Sequence, residues 1–124
     1  MSQEETEEFT LEEARELMPE VRRRGAEIVR MRAELAELAL ALSTGDTSPS
    51  GGLPEAKALE ARVNEKISWF DAHGIEVKGV APLLVDFPAQ RDGVSVRLCW
   101  LEGEEELAWF HRTELGFSGR RRIE

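Results

Sequence analysis

The chain predicts an α+β fold, a long antiparallel helical hairpin packed on a three-stranded antiparallel β-meander. Three observations predict it. In the first half, Leu17, Val21, Arg24, Ile28, Met31, Leu35, Leu38 and Leu42 step by fours and threes, and all but Arg24 are apolar; this is a heptad seam. In the second half, Val94, Val96, Leu98 and Trp100 alternate with Ser95, Arg97 and Cys99, the pattern of a half-buried strand. Asp92-Gly93 supplies the residue pair of a tight hairpin turn.

The length of 124 residues suits one domain with one modest core. The expected organisation is an acidic N-terminal tail, 1–8, and a single α+β domain, 9–124. That domain divides into the helical hairpin, 10–73, and the meander with a C-terminal tail, 76–124.

The first helix opens at "FTLEEAREL". Thr10 is placed to cap it, and Glu13 completes a capping box. Pro19 removes one backbone hydrogen bond and crowds the preceding turn. The expectation is therefore a short helix, about 11–18, and then a kink or a fresh start at Pro19. From Pro19 to Leu42 the helix would span roughly 36 Å. "STGDTSPSGG", 43–52, is a connector rich in turn residues. It lacks the lysine that a phosphate-cradling loop needs. Pro54 suits the first turn of a second helix, whose stripe is Ala56, Leu59, Val63, Ile67 and Phe70. Gly74 after His73 reads as a left-handed C-terminal cap.

In the meander, Val85 and Phe87 share one strand face and Asp86 the other. A two-residue turn sets Asp86 across from Cys99. A four-residue loop sets it across from Arg97. The third strand, "LAWFHR", leaves its register open. With Trp109 inward, His111 sits near the rim of the core. With Phe110 inward, His111 lies beside Arg97 on the outer face.

The series "GIEVKG", "LVDFPA", "LCW", "WFH" and "GFSGR", in this order, resembles the uncharacterised prokaryotic family known as domain of unknown function 2203. The similarity runs from Phe9 to Ile123. It implies a single compact domain and brings no activity, substrate or catalytic residue with it. The family's third-strand motif reads Trp then His, whereas here Phe110 separates Trp109 from His111.

Composition narrows the function classes. The net charge is −9, with 33% charged and 41% hydrophobic residues. Setting aside Glu4, Glu5, Glu7 and Glu8 still leaves the body acidic, so the overall field repels nucleic acid and anionic membrane. No apolar run approaches membrane-spanning length. A single cysteine, Cys99, permits no internal disulfide, and the first residues lack a leader pattern. A cytoplasmic setting is expected.

The candidate chemistry lies in the second half. Asp86, Cys99 and His111, with Arg97 beside them, are the residue types of a base-activated cysteine, although cysteine within "RLCWL" is more often a small buried hydrophobe. His73, His111, Asp86 and Cys99 show no paired metal-ligand spacing, and His73 reads as a cation at a helix C-terminus. Neither a metal nor a cofactor is expected. In "GFSGRRR", Gly116 and Gly119 allow backbone amides to approach an anion, and Arg120 offers a fork for it. Arg91 is a partner if the tail closes on Asp86; otherwise Gly116 to Arg120 hangs as a solvated tail. The same arginines, with Phe117 as a stacking platform, are the weaker elements of an RNA surface.

No stretch specifies a reaction. The expected function is a non-catalytic cytoplasmic interaction module that forms a homodimer through its heptad-patterned helices. The alternative is a small anion-binding or enzymatic domain built on Asp86, Arg91, Arg97, His111, Gly116, Gly119 and Arg120.

Overall fold

The computed structural model describes residues 8–45 and 51–124. Most of the expected acidic tail, 1–7, and the middle of the connector, 46–50, lie outside the described residues.

Helix α1 runs unbroken over Leu11–Thr44. Its capping box forms: the Glu13 amide donates to Thr10 Oγ1 at 3.0 Å, and the Thr10 amide donates to Glu13 Oε1 at 2.9 Å. The expected separate short helix before Pro19 is absent, because Pro19 lies within the helix. Packing holds it there. Ala14 and Met18 before the proline and Val21, Gly25 and Ile28 after it are all buried on one line. A continuous buried stripe offsets the roughly 3 kcal/mol that an interior proline costs.

That stripe departs from the expected seam. Val21, Ile28 and Leu38 are buried, but Leu42 is 37% exposed, and Arg24 sits 4.5 Å over the Trp69 ring. The helix therefore has two contact lines, one toward the sheet and one toward the second helix. Gly25 makes the first possible. A Cβ there would stand 2.9 Å from Leu83 Cδ2, with the Trp100 ring at 3.9 Å, so its missing side chain lets α1 lie close on the sheet.

Helix α2 spans Leu53–Ala72, with Pro54 in its first turn and Val63 and Phe70 buried. Gly74 adopts φ 77 and ends it, as expected. Arg24 meets Trp69, Glu27 pairs with Lys66 at 3.4 Å, and Leu38 lies near Leu59 and Arg62. Contacts thus step back along α2 as they step forward along α1.

The sheet has five antiparallel strands, β1 Glu76–Val80, β2 Leu83–Arg91, β3 Val94–Leu101, β4 Trp109–Arg112 and β5 Arg121–Arg122, in the order β1-β2-β3-β4-β5. Three strands were expected, and these are β2, β3 and β4. The first and last were missed. In β1 the register shifts between Val77 and Gly79, which breaks the alternation. β5 is two arginines long and carries no apolar signal.

Asp92 at φ 53 and Gly93 at φ 80 form the two-residue turn, so Phe87 pairs with Leu98 and Asp86 with Cys99. In β4, Phe110 pairs with Leu98, His111 with Arg97 and Trp109 with Cys99. Phe110 therefore turns toward the helices, and His111 joins Asp86 and Cys99 on the outer face. The core unites Ala14, Met18, Val21, Ile28, Val63 and Phe70 with the helix-facing Val85, Phe87, Val96, Leu98 and Trp100. Phe9 closes one end, edge-on to Phe87 at 5.3 Å.

Candidate functional site

Strand parity puts Asp86, Arg97, Cys99 and His111 on the sheet face away from the helices. That face ordinarily meets water in a two-layer fold. Here it does not. Asp86 is 2% exposed, Cys99 0% and His111 3%. The chain after β4 covers them. Thr113, Gly116 and Phe117 line a cleft of about 280 Å³ together with Lys78, Leu84, Asp86, Arg97 and His111. A 3-10 turn at Phe117–Gly119 then leads into Arg120 and β5.

His111 is held at both ring nitrogens. Nδ1 donates to the Arg112 carbonyl at 2.8 Å, and Nε2 faces Asp86 Oδ2 at 3.1 Å. A carbonyl only accepts, so the Nδ1 partner fixes which nitrogen carries a proton in the neutral ring. The Nε2–Oδ2 contact then needs a positive particle between the two atoms. Asp86 Oδ1 has no hydrogen-bond partner among the described residues. A ligand atom from each of Asp86, Cys99 and His111 lies within 4.8 Å of the other two.

Cys99 is poorly suited to nucleophilic attack. Burial, and then the neighbouring Asp86 charge, push its thiol up to about 12, and Arg120 opposes them too weakly. Reactive cysteines require the opposite shift.

The cations around the cluster pair with carboxylates of the same chain, although Arg120 Nε is buried with no hydrogen-bond partner among the described residues. Arg97 donates to Glu76 through Nε at 2.9 Å and Nη2 at 3.2 Å, and to Thr113 Oγ1 at 3.1 Å. Arg120 donates to Glu104 through Nη1 at 2.8 Å and Nη2 at 2.7 Å, and Nη2 also donates to the Cys99 carbonyl at 3.1 Å. Its guanidinium lies between the Trp109 ring at 5.0 Å and the Phe117 ring at 4.7 Å. Burial works against the charge on Glu104, but the Arg120 hydrogen bonds, the Leu101 amide and the Arg120 charge outweigh it, so its carboxyl lies below the ordinary value.

Asp86, Arg97, His111 and Gly116 thus come together around one cleft, with Arg120 on its flank. Gly119 serves the turn: a Cβ there would meet Leu115 Cβ at 2.8 Å. Arg91 is elsewhere. It pairs with Val94 on the helix-facing side and lies 4.4 Å over Phe110. His73 is also apart, stacked on Trp69 at 4.2 Å. The tail neither hangs free nor closes on Arg91; it closes on Glu104. Sequence reasoning passed over Glu76 and Glu104. The only signal for Glu104 was the acidic run "EGEEE", which does not say which glutamate an arginine will choose.

The family described as an uncharacterized conserved protein, DUF2203, matches residues 7–123. The chain belongs to that family. The match takes in every strand of the sheet and the whole outer-face cluster, so this DUF2203 chain carries its candidate site inside the family's own extent. Neither the curated proteins nor the solved structures yield a match. No helix among the described residues of this DUF2203 member is long and apolar enough to cross a membrane.

Proposed function

We propose that the chain is a non-catalytic interaction module that self-associates through its antiparallel helical hairpin, as a homodimer in the cytoplasm. The observation that carries this reading is a free apolar line on α1. Ala26, Val29, Ala33, Ala36 and Leu40 step by threes and fours, and four of them are exposed, with Val29 half-buried. Leu40 is 66% exposed, and Leu53 at the start of α2 is 61% exposed. The inner end of the line forms one wall of a groove of about 710 Å³, floored by Leu83 and Trp100.

The occupant we assign is α1 of a second copy. Small residues at heptad spacing let two helices approach closely. The groove rim carries Arg22 and Arg30 on its helix side and the exposed Glu105 on its sheet side, while Glu102 there is already held by Arg32. A two-fold axis sets each copy's arginines against the other's Glu105, the self-complementarity that a symmetric dimer requires. A free buried cysteine, Cys99, fits a reducing compartment.

Light scattering on a sizing column tests this. The expected result is a dimer at micromolar concentration that Ala33→Glu converts to monomer with unchanged circular dichroism. A strict monomer at high micromolar concentration overturns it.

A second reading, a small anion-binding domain, draws support from the outer-face cleft, where Lys78 and Arg97 stand beside His111 and Gly116. Phosphate or a dicarboxylate should raise the melting temperature by mass action, and Arg97→Ala should abolish that rise. No rise with any anion screened removes this reading.

A further inference from the structure

We propose that Asp86, Cys99 and His111 bind one divalent first-row metal ion, zinc first among them, at the floor of the outer-face cleft. The inference goes beyond both readings above, since it holds whether or not α1 pairs and whether or not an anion enters the cleft.

Four observations converge on it. The donor set is a carboxylate oxygen, an imidazole nitrogen and a thiol sulfur, the mixture that zinc accepts and that magnesium and calcium do not. Their ligand atoms lie within 4.8 Å of one another. A tetrahedral ion with bonds of about 2.0–2.3 Å needs donors separated by roughly 3.3–3.7 Å, and the Nε2–Oδ2 separation of 3.1 Å is close to this. His111 presents Nε2 while Nδ1 donates to the Arg112 carbonyl, which is how proteins orient a metal-binding imidazole. Asp86 Oδ1, on a residue 2% exposed, has no hydrogen-bond partner among the described residues, and leaving a buried carboxylate oxygen unpaired is unfavourable. An ion held by Nε2, Sγ and the carboxylate would set a positive charge beside that oxygen.

Charge supports a divalent ion. The flanking Arg97 and Arg120 are neutralised by Glu76 and Glu104. One carboxylate, one thiolate and one neutral imidazole then balance a charge of plus two. On binding, the Cys99 S–H bond breaks and an Sγ–metal bond replaces it, the proton held between His111 Nε2 and Asp86 Oδ2 is displaced by the ion, and both protons leave to solvent; nothing is oxidised or reduced. Three protein ligands leave a fourth position. Asp86 and His111 line the outer-face cleft, from which water or an anionic ligand would complete the shell.

The test uses the full chain, treated with chelator and then titrated with Co²⁺. The expected result is a single equivalent bound, with the visible bands of tetrahedral cobalt and a near-ultraviolet thiolate-to-cobalt band, both bleached by Zn²⁺. Cys99→Ser should lose the thiolate band, and Asp86→Asn should weaken binding by more than about tenfold. His73→Ala should change neither. Folded wild-type protein without a thiolate band overturns the proposal, and so does an unchanged spectrum in Cys99→Ser. Should Cys99→Ser fail to fold, the Asp86→Asn affinity decides alone. In the overturning case the His111–Asp86 contact is a hydrogen bond without a metal ion, a result that leaves the oligomer and anion experiments untouched.

Discussion

Arg120 grips both carboxylate oxygens of Glu104, at 2.8 and 2.7 Å, and so ties the last residues of the chain to the turn after β3. The pair is largely shielded, with side chains 11% and 23% exposed. It also fills the gap between Trp109 and Phe117. Arg120→Ala removes the fork, leaves Glu104 without its counter-charge and opens the cover over Cys99. The expected loss is about 2–3 kcal/mol in urea unfolding. Arg120→Lys keeps the charge but not the planar fork, and should fall between the two.

Acid should weaken the fold through named carboxylates. The Arg32 hydrogen bonds and then the Leu83 amide hold the Glu102 carboxyl below its ordinary value of 4.5, and Glu104 is lowered as well. A folded-state value below the unfolded one adds stability above the unfolded value, and this is lost as pH falls through the folded one. Urea midpoints should therefore hold from about pH 7 to 5 and drop below about pH 4.5. Glu102→Gln should lower the midpoint at neutral pH and flatten the acid slope. An unchanged slope in that variant would remove Glu102 from the account.

Pro19→Ala should stabilise the chain. The proline lies inside α1, and its neighbours Met18 and Val21 are buried on either side. Alanine restores a backbone donor and relieves the crowded turn, and the expected gain is about 1–3 kcal/mol. A loss of stability would mean that the packing of α1 on the sheet depends on a bend that only proline supplies.

Cys99 should resist thiol reagents in the native state. It is fully buried, and its thiol is pushed up to about 12. At about pH 8 an unfolded-chain cysteine is partly thiolate. Labelling should therefore be complete in denaturant and slow without it, at a rate that tracks local opening. Fast native labelling would show that the cover of residues 113–120 opens readily.

Local rules carried much of this fold. The capping box at Thr10 and Glu13, the left-handed Gly74 and the Asp92-Gly93 turn each depend on residues a few positions apart, and each formed as read. The β2–β3 register follows from that turn, so Asp86 opposite Cys99 was one of two legible outcomes. The register of β4 was not legible, because Trp109 and Phe110 are equally good inward residues in isolation. Only the fit of Phe110 against Leu98 decides between them. β1, β5 and the continuity of α1 through Pro19 rest on tertiary contact and leave no local mark. The outer face was read as the open side of a half-buried sheet. Its burial depends on Gly116 to Arg120 folding back, and the anchor for that, Glu104, looks in sequence like any of its acidic neighbours.

The Asp92-Gly93 turn has a consequence for how this chain tolerates insertions and deletions. Asp86 and Cys99 meet because each is counted outward from that turn along its own strand. With that two-residue turn kept, one extra residue taken into either strand would move one of them to the opposite side of the sheet. Two taken into β3 would keep the sides but bring Asp86 opposite Arg97. The make-up of the cluster is thus stored in the strand register as much as in the residues themselves, and a one-residue slip between β2 and β3 would dismantle it while leaving every residue in it intact.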